Sequence, residues 1–117
     1  MMHPDYRPAL AEFRALPQDW NSYGAVPTTS TACAKLLAVV ETLLPAEHPA
    51  CVIVPTPQGG VQLEWHRGGI DAELEVCYSG LVECYVDHGG EEHCWVGDYG
   101  AAYFARYLAE HLPAETH

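Results

Sequence analysis

The residues best equipped for chemistry crowd the second half of the chain. Between positions 64 and 98 nine acidic residues stand against one basic residue, Arg67. Glu64, Asp71, Glu73, Glu75 and Glu83 fall inside segments that alternate apolar with polar. His66, His88, His93, Cys77, Cys84, Cys94 and Trp95 are interspersed among them. Three chemistries use such residues: proton transfer by paired carboxylates, metal ligation by Cys and His, and attack by an activated thiol or hydroxyl.

Each can be weighed against spacing. A catalytic carboxylate pair needs two environments that push its pKa values apart, and an open sheet face gives both members the same one. Zinc takes Cys and His in tetrahedral sets, but His88-x4-His93-Cys94 matches no common ligand spacing. Alternation also sends Cys77 outward and Cys84 inward, so the two cannot share an ion. No G-x-S-x-G elbow or papain-like cysteine context is present. Ser22 has no adjacent base, and Gly59-Gly60, Gly68-Gly69 and Gly89-Gly90 read as turns rather than a phosphate-binding loop. The sequence therefore predicts no catalytic residue, no metal and no cofactor.

The elements that must carry these residues follow from periodicity. Residues 8–16 suit a short helix, with Leu10, Phe13 and Leu16 on one side and Pro17 at its end. A second helix follows, capped by Thr28, Thr29 or Ser30, with Cys33, Leu36, Leu37, Val40, Leu43 and Leu44 as its apolar stripe. Pro45 stops it, and residues 46–50 form a linker. The period then changes to two. CVIV at 51–54, VQLEW at 61–65, AELEV at 72–76 and LVECYVD at 81–87 read as strands, with EEHCWV as a weaker fifth whose inward face the pattern leaves open. A last helix, capped by Asp98, carries Ala101, Phe104, Leu108 and Leu112 as a stripe, with Tyr103 and Tyr107 as an aromatic flank.

Register can be fixed by arithmetic. With Gly68-Gly69 as a two-residue loop, Trp65 faces Ala72, Leu63 faces Leu74 and Val61 faces Val76. With Gly80 in the next turn, Val76 faces Val82 and Leu74 faces Cys84. A slip of one residue would destroy both matches. The expected fold is α+β: an antiparallel meander of four to five strands over about residues 51–96, with two N-terminal helices and one C-terminal helix on one face. The chain of 117 residues makes one domain. The same register sets Glu64 opposite Glu73, Gln62 opposite Glu75 and His66 opposite Asp71 on the other face, where like charges directly across destabilise.

Composition narrows the partner. Sixteen acidic and five basic residues give a formal charge of −11, and protonating all seven histidines still leaves −4. Nucleic-acid phosphates and anionic lipid would repel such a chain. No apolar run approaches the ~20 residues of a membrane span. The start, MMHPDYRPAL, lacks the charged head and apolar run of a signal peptide, and the expected location is cytoplasmic. Five cysteines in irregular spacing then read as free thiols.

Residues 19–27, DWNSYGAVP, read as a structural clamp that joins the first two helices over the sheet edge. Asp19 and Asn21 can hold a tight turn through backbone N–H groups, and Gly24 can supply a positive φ. Trp20 and Tyr23 are plates that bury area while keeping a polar atom bonded. Together with PTPQGGVQLEW at 55–65, this W-N-S-Y-G-A-x-P stretch resembles a pattern that recurs in a group of small uncharacterised bacterial proteins. The resemblance covers residues 19–27 and 55–65, extends loosely to Val76, and leaves out the C-terminal third. It implies a fold and transfers no activity and no catalytic residue.

The function expected from these features is non-enzymatic protein binding. An antitoxin or immunity protein, a phage-type inhibitor or an accessory subunit would dock a basic or nucleic-acid-binding protein through Glu64, Asp71, Glu73, Glu75 and Glu83. The alternative is a small-ligand or metal-binding protein with its site at His66, His88, His93 and Trp95.

Overall fold

A computed structural model describes residues 4–44 and 48–112. The elements are α1 (Arg7–Arg14), α2 (Ser30–Thr42), β1 (Val52–Pro55), β2 (Val61–Arg67), β3 (Ile70–Val76), β4 (Val82–His88), β5 (Glu91–Val96) and α3 (Gly97–His111). The five strands form one antiparallel meander in the order β1-β2-β3-β4-β5, so the fold is α+β. The turns explain the simple order. Gly68-Gly69 and Gly89-Gly90 each close a two-residue hairpin with φ between 62° and 92°, the left-handed pair that matches strand twist. Trp65 lies opposite Ala72, Leu63 opposite Leu74, Val76 opposite Val82 and Leu74 opposite Cys84.

All three helices lie on the apolar side of this sheet. α2 covers β2 and β3 while α3 covers β4 and β5, and α1 packs against α2. Trp65, Leu63, Leu74, Val76, Val86, Leu36, Phe104 and Leu108 are fully buried between the layers. Tilted ring contacts run from Trp65 to Phe104 and on to Trp95. β5, whose inward side periodicity left open, turns His93 and Trp95 toward the core and Glu92, Cys94 and Val96 away from it.

Several element ends differ from expectation. α1 runs from Arg7 to Arg14 and stops before Leu16 and Pro17. Thr29 is the N-cap of α2, its side chain accepting from the Ala32 N–H at 3.1 Å, and Val39 joins the buried stripe. The expected stop at Pro45 lies outside the described residues, as does the first part of the 46–50 linker. β1 spans 52–55 rather than 51–54. Asp98 does not cap α3: the N-cap is Val96, and Asp98 in the first turn pairs instead with Lys35 of α2 at 2.7 Å. Its negative charge still suits a helix N-terminus. All five cysteines carry free thiols.

The 19–27 stretch lies against the β1–β2 turn. Asn21 Oδ1 accepts from the N–H groups of Tyr23 and Ala25, and Asp19 Oδ1 accepts from Gly24 N–H. Trp20 Nε1 donates to the Val26 carbonyl at 2.8 Å. Val26 N–H donates to Pro57 O, Thr28 N–H to Phe13 O, and Thr29 N–H to Gly59 O. The Thr28 hydroxyl reaches Gly60 O, and that of Thr29 reaches Tyr78 O. One strap thus touches α1, the β1–β2 turn and the β3–β4 turn. Within it Asp19, Ser22 and Gly24 all adopt positive φ, at 61°, 67° and 84°. Tyr23 corrects the expectation of a buried plate: it is 91% exposed. Trp20 is half-buried.

Gly60 proves to be more than a turn residue. A Cβ there would sit 2.5 Å from the Val76 carbonyl and 2.8 Å from Thr56 Oγ1. Only a hydrogen fits between strands that close. Gly60→Ala should therefore destabilise the protein by about 2 kcal/mol or more, whereas Trp20→Ala, which removes a half-buried ring and one hydrogen bond, should cost about 1–3 kcal/mol. Denaturant melts of both variants check this. A Gly60→Ala protein as stable as the parent would mean that the turn moves freely.

Candidate protein-docking face

The register that buries one face of the sheet exposes the other as three transverse rows. One row runs Val54, Gln62, Glu75, Glu83, Val96. The next runs Val52, Glu64, Glu73, Tyr85, Cys94, and the last His66, Asp71, Asp87, Glu92. Seven carboxylates share this face. Glu64 is directly opposite Glu73, Glu75 opposite Glu83, and Asp71 opposite Asp87, which is itself opposite Glu92. Five of the seven, Glu64, Asp71, Glu73, Glu75 and Glu83, are those singled out from sequence. Asp87 and Glu92 complete the set, and the alternation of LVECYVD already carried the signal for Asp87.

No Lys or Arg stands in these rows. Arg7 pairs with Asp5 and Lys35 with Asp98, while Arg106 lies over the Tyr103 ring. Arg67 is in register with Ile70 and His88, on the opposite parity. His66 alone brings positive charge. Its Nδ1 lies 2.8 Å from Asp71 Oδ1 and its Nε2 3.0 Å from Glu64 Oε1. Both ring nitrogens face acceptors, an arrangement that suits the doubly protonated imidazolium. The bond to Glu64, then that to Asp71, raises the His66 pKa above its ordinary value. In return the bond from His66 holds Glu64 below the usual carboxylate range.

Away from His66 the balance reverses. Glu75 is pushed up, first by burial, then by Glu83 and Glu73. The Cys77 thiol is pushed up by burial and by Glu75 and Glu83. Tyr85 donates to Glu92 Oε1 at 2.9 Å, and that bond pushes its hydroxyl up to about 12. Glu73, Glu75, Glu83, Tyr85, Cys94 and Val96 line a shallow groove of about 190 Å³ across β3, β4 and β5. Among the described residues Glu75, Cys77 and Glu83 alone bring three potential ligand atoms within 4.8 Å of one another. Two carboxylates and one protonated thiol on an open surface offer a cation charge rather than a closed coordination shell.

The alternative site does not assemble as expected. His66 is on the acidic face, whereas His88, His93 and Trp95 are on the apolar side. There they join Tyr107 and His111. His88 Nδ1 lies 2.7 Å from the Tyr107 hydroxyl, His93 stacks on Trp95 at 5.8 Å, and Tyr107 meets His111 at 4.2 Å. The rings fill their own space as the rim of the core. This also separates Tyr107 from Tyr103, which is 57% exposed beside Tyr99 and Arg106. The expected joint aromatic flank is therefore two surfaces.

Among the described residues no helix is long and apolar enough to cross a membrane. His66 titration is the sharpest check on the face. A raised folded pKa contributes stability below the unfolded value and loses it as pH rises through the folded one. Glu64, being lowered, contributes above its unfolded value and loses that as pH falls. Both contributions coexist between about pH 5 and 6.5. The stability gap between the parent and His66→Gln should be wider there than at pH 8 and above. By NMR the His66 midpoint should lie above ~6.5 and fall in Glu64→Gln. An unshifted midpoint would mean the imidazole swings free. Glu75→Gln should stabilise, by roughly 0.2–1 kcal/mol for a relieved like-charge pair. Compared with family models, curated proteins and solved structures, the chain matches none of them.

Proposed function

We propose that this protein is a non-enzymatic binding module whose acidic sheet face docks a basic protein, one with a cationic or nucleic-acid-binding surface. The observation that supports this best is the segregation of charge. Seven carboxylates occupy one face in opposing pairs, with His66 as the one cationic group set among them, while the chain's Lys and Arg residues fall elsewhere. Solubility alone would be served as well by acids spread over the surface. Concentrating them costs stability through repulsion, and a cationic partner would offset that cost on binding. Roles that use such a face include an antitoxin or immunity protein, an inhibitor presenting nucleic-acid-like charge, and an accessory subunit.

The face has the properties of a docking surface rather than a reaction centre. It is an open sheet face with only a shallow groove, and its one histidine is occupied by two carboxylates. Complementary charge chiefly accelerates encounter and sets specificity, and salt screens it over a Debye length of about 8 Å. The rival reading as a ligand or metal site loses His66 to the other face and leaves a ring cluster packed on itself.

The test is capture of the partner by the parent and by the triple variant Glu64→Lys, Glu73→Lys, Glu75→Lys. The captured protein should be basic. Its association rate should fall about tenfold or more as salt rises from ~50 to ~500 mM. The triple variant, if folded by circular dichroism, should lose the partner. A folded triple variant that binds the same partner with unchanged affinity would overturn the reading, and the exposed Tyr99–Tyr103–Arg106 face of α3 would be the next surface to test.

A further inference from the structure

We infer that the partner's contacting segment is an extended basic strand, added to the sheet along the free edge of β5. This rests on the acidic-face reading and specifies the form of its ligand.

Backbone parity carries the argument. Cys77 N–H donates to Leu81 O at 2.8 Å, so 77 and 81 are a hydrogen-bonded pair. In an antiparallel ladder such pairs recur every second residue. On β4 the groups of 83, 85 and 87 therefore bond to β3, and those of 84, 86 and 88 to β5. Their β5 partners are Trp95, His93 and Glu91. The N–H and C=O groups of Glu92 and Cys94, and the N–H of Val96, whose carbonyl begins the α3 ladder, are left pointing outward along the open edge. The side chains of these same three residues belong to the acidic face, and all three are exposed.

The opposite edge is a poorer template. Thr56 N–H bonds to Gly60 O, so by the same parity β1 turns Ile53 and Pro55 outward. Proline has no N–H to give, and β1 is only four residues long. β5 has six residues, with no proline and no lysine to guard it.

Charge chooses the occupant. A strand beside β5 lies about 4.8 Å away, and its residues facing Glu92, Cys94 and Val96 share their face. A Lys or Arg beside Glu92 would also approach Asp87, and one beside Val96 would reach along the surface toward Glu83. The residue between, beside Cys94 and Tyr85, can be small or neutral. The two residues on the other side would extend the core past His93 and Trp95, both half-buried at this rim. The pattern read is basic-apolar-neutral-apolar-basic. A second copy of β5 would instead bring two acidic faces side by side, which like-charge repulsion opposes.

The probe is a synthetic peptide, Thr-Lys-Val-Thr-Val-Lys-Thr with blocked ends, measured beside a version N-methylated on alternate residues and a scrambled version of equal charge. The unmodified peptide should bind with salt-dependent affinity. On binding, the amides of Glu92, Cys94 and Val96 should be protected about tenfold or more from hydrogen exchange. N-methylation, scrambling or Cys94→Pro in the protein should each weaken binding by about tenfold or more. The N–H that Cys94→Pro removes points outward rather than to β4, and the N-methylated peptide asks the same question if that variant does not fold. If all peptides bind alike, with salt dependence but no protection at 92, 94 and 96, the edge inference falls and the acidic face stands. If no peptide binds while the natural basic partner is still lost with the triple lysine variant, the edge inference also falls alone. Failure of both the peptides and the triple variant removes both readings. Concentration-dependent protection of the same amides without peptide would give the edge to a second copy and overturn the proposal.

Discussion

Everything in this molecule depends on strand register. The side-chain period of a strand is two, so one choice of register decides both what is buried and what is shown. Two glycine-pair hairpins fix that choice, and the pairs Leu63–Leu74 and Trp65–Ala72 hold it. Under the helices the choice yields a dense layer around Trp65 and Phe104. On the outer side it yields rows of carboxylates that oppose each other. The protein cannot relieve the repulsion by slipping a residue, because the slip would expose Leu63 and Leu74 and bury Glu64 and Glu73. The apolar side therefore holds the acidic side together against its own charge.

That same coupling explains what could be read from the chain alone. Alternation over 61–76 is strict, and both faces of β2 and β3 were legible, Glu64 against Glu73 included. β5 was harder. Its inward residues are His93 and Trp95 and its outward ones include Cys94 and Val96, so hydropathy does not mark its faces. Only pairing with β4 settles them. The same lack of contrast hid Glu92 from the acidic set.

Helix ends and aromatic side chains were less legible for a different reason: their environments are tertiary. Asp98 has the residue type of a cap, but Lys35 of another helix claims its carboxylate. Tyr103 and Tyr107 are four apart, yet the rim of β4 and β5 takes one and solvent takes the other. Tyr23 shares a loop with Trp20, and only Trp20 finds a carbonyl to bind. Histidines at 66 and 88 look alike in sequence and stand on opposite faces because 22 residues is an even step interrupted by turns of different length.

The strap over the β1–β2 turn has a kinetic consequence. Each hairpin of the meander pairs residues close together in the chain, so those contacts close small loops. The strap's bonds instead span 32 residues from Thr28 to Gly60 and 49 from Thr29 to Tyr78. They need both turns already built, since Gly59, Gly60 and Tyr78 offer carbonyls only in their finished geometry. Loop-closure entropy delays such contacts. The strap's hydrogen bonds are thus expected to close after the hairpins, and weakening them should speed unfolding more than it slows folding.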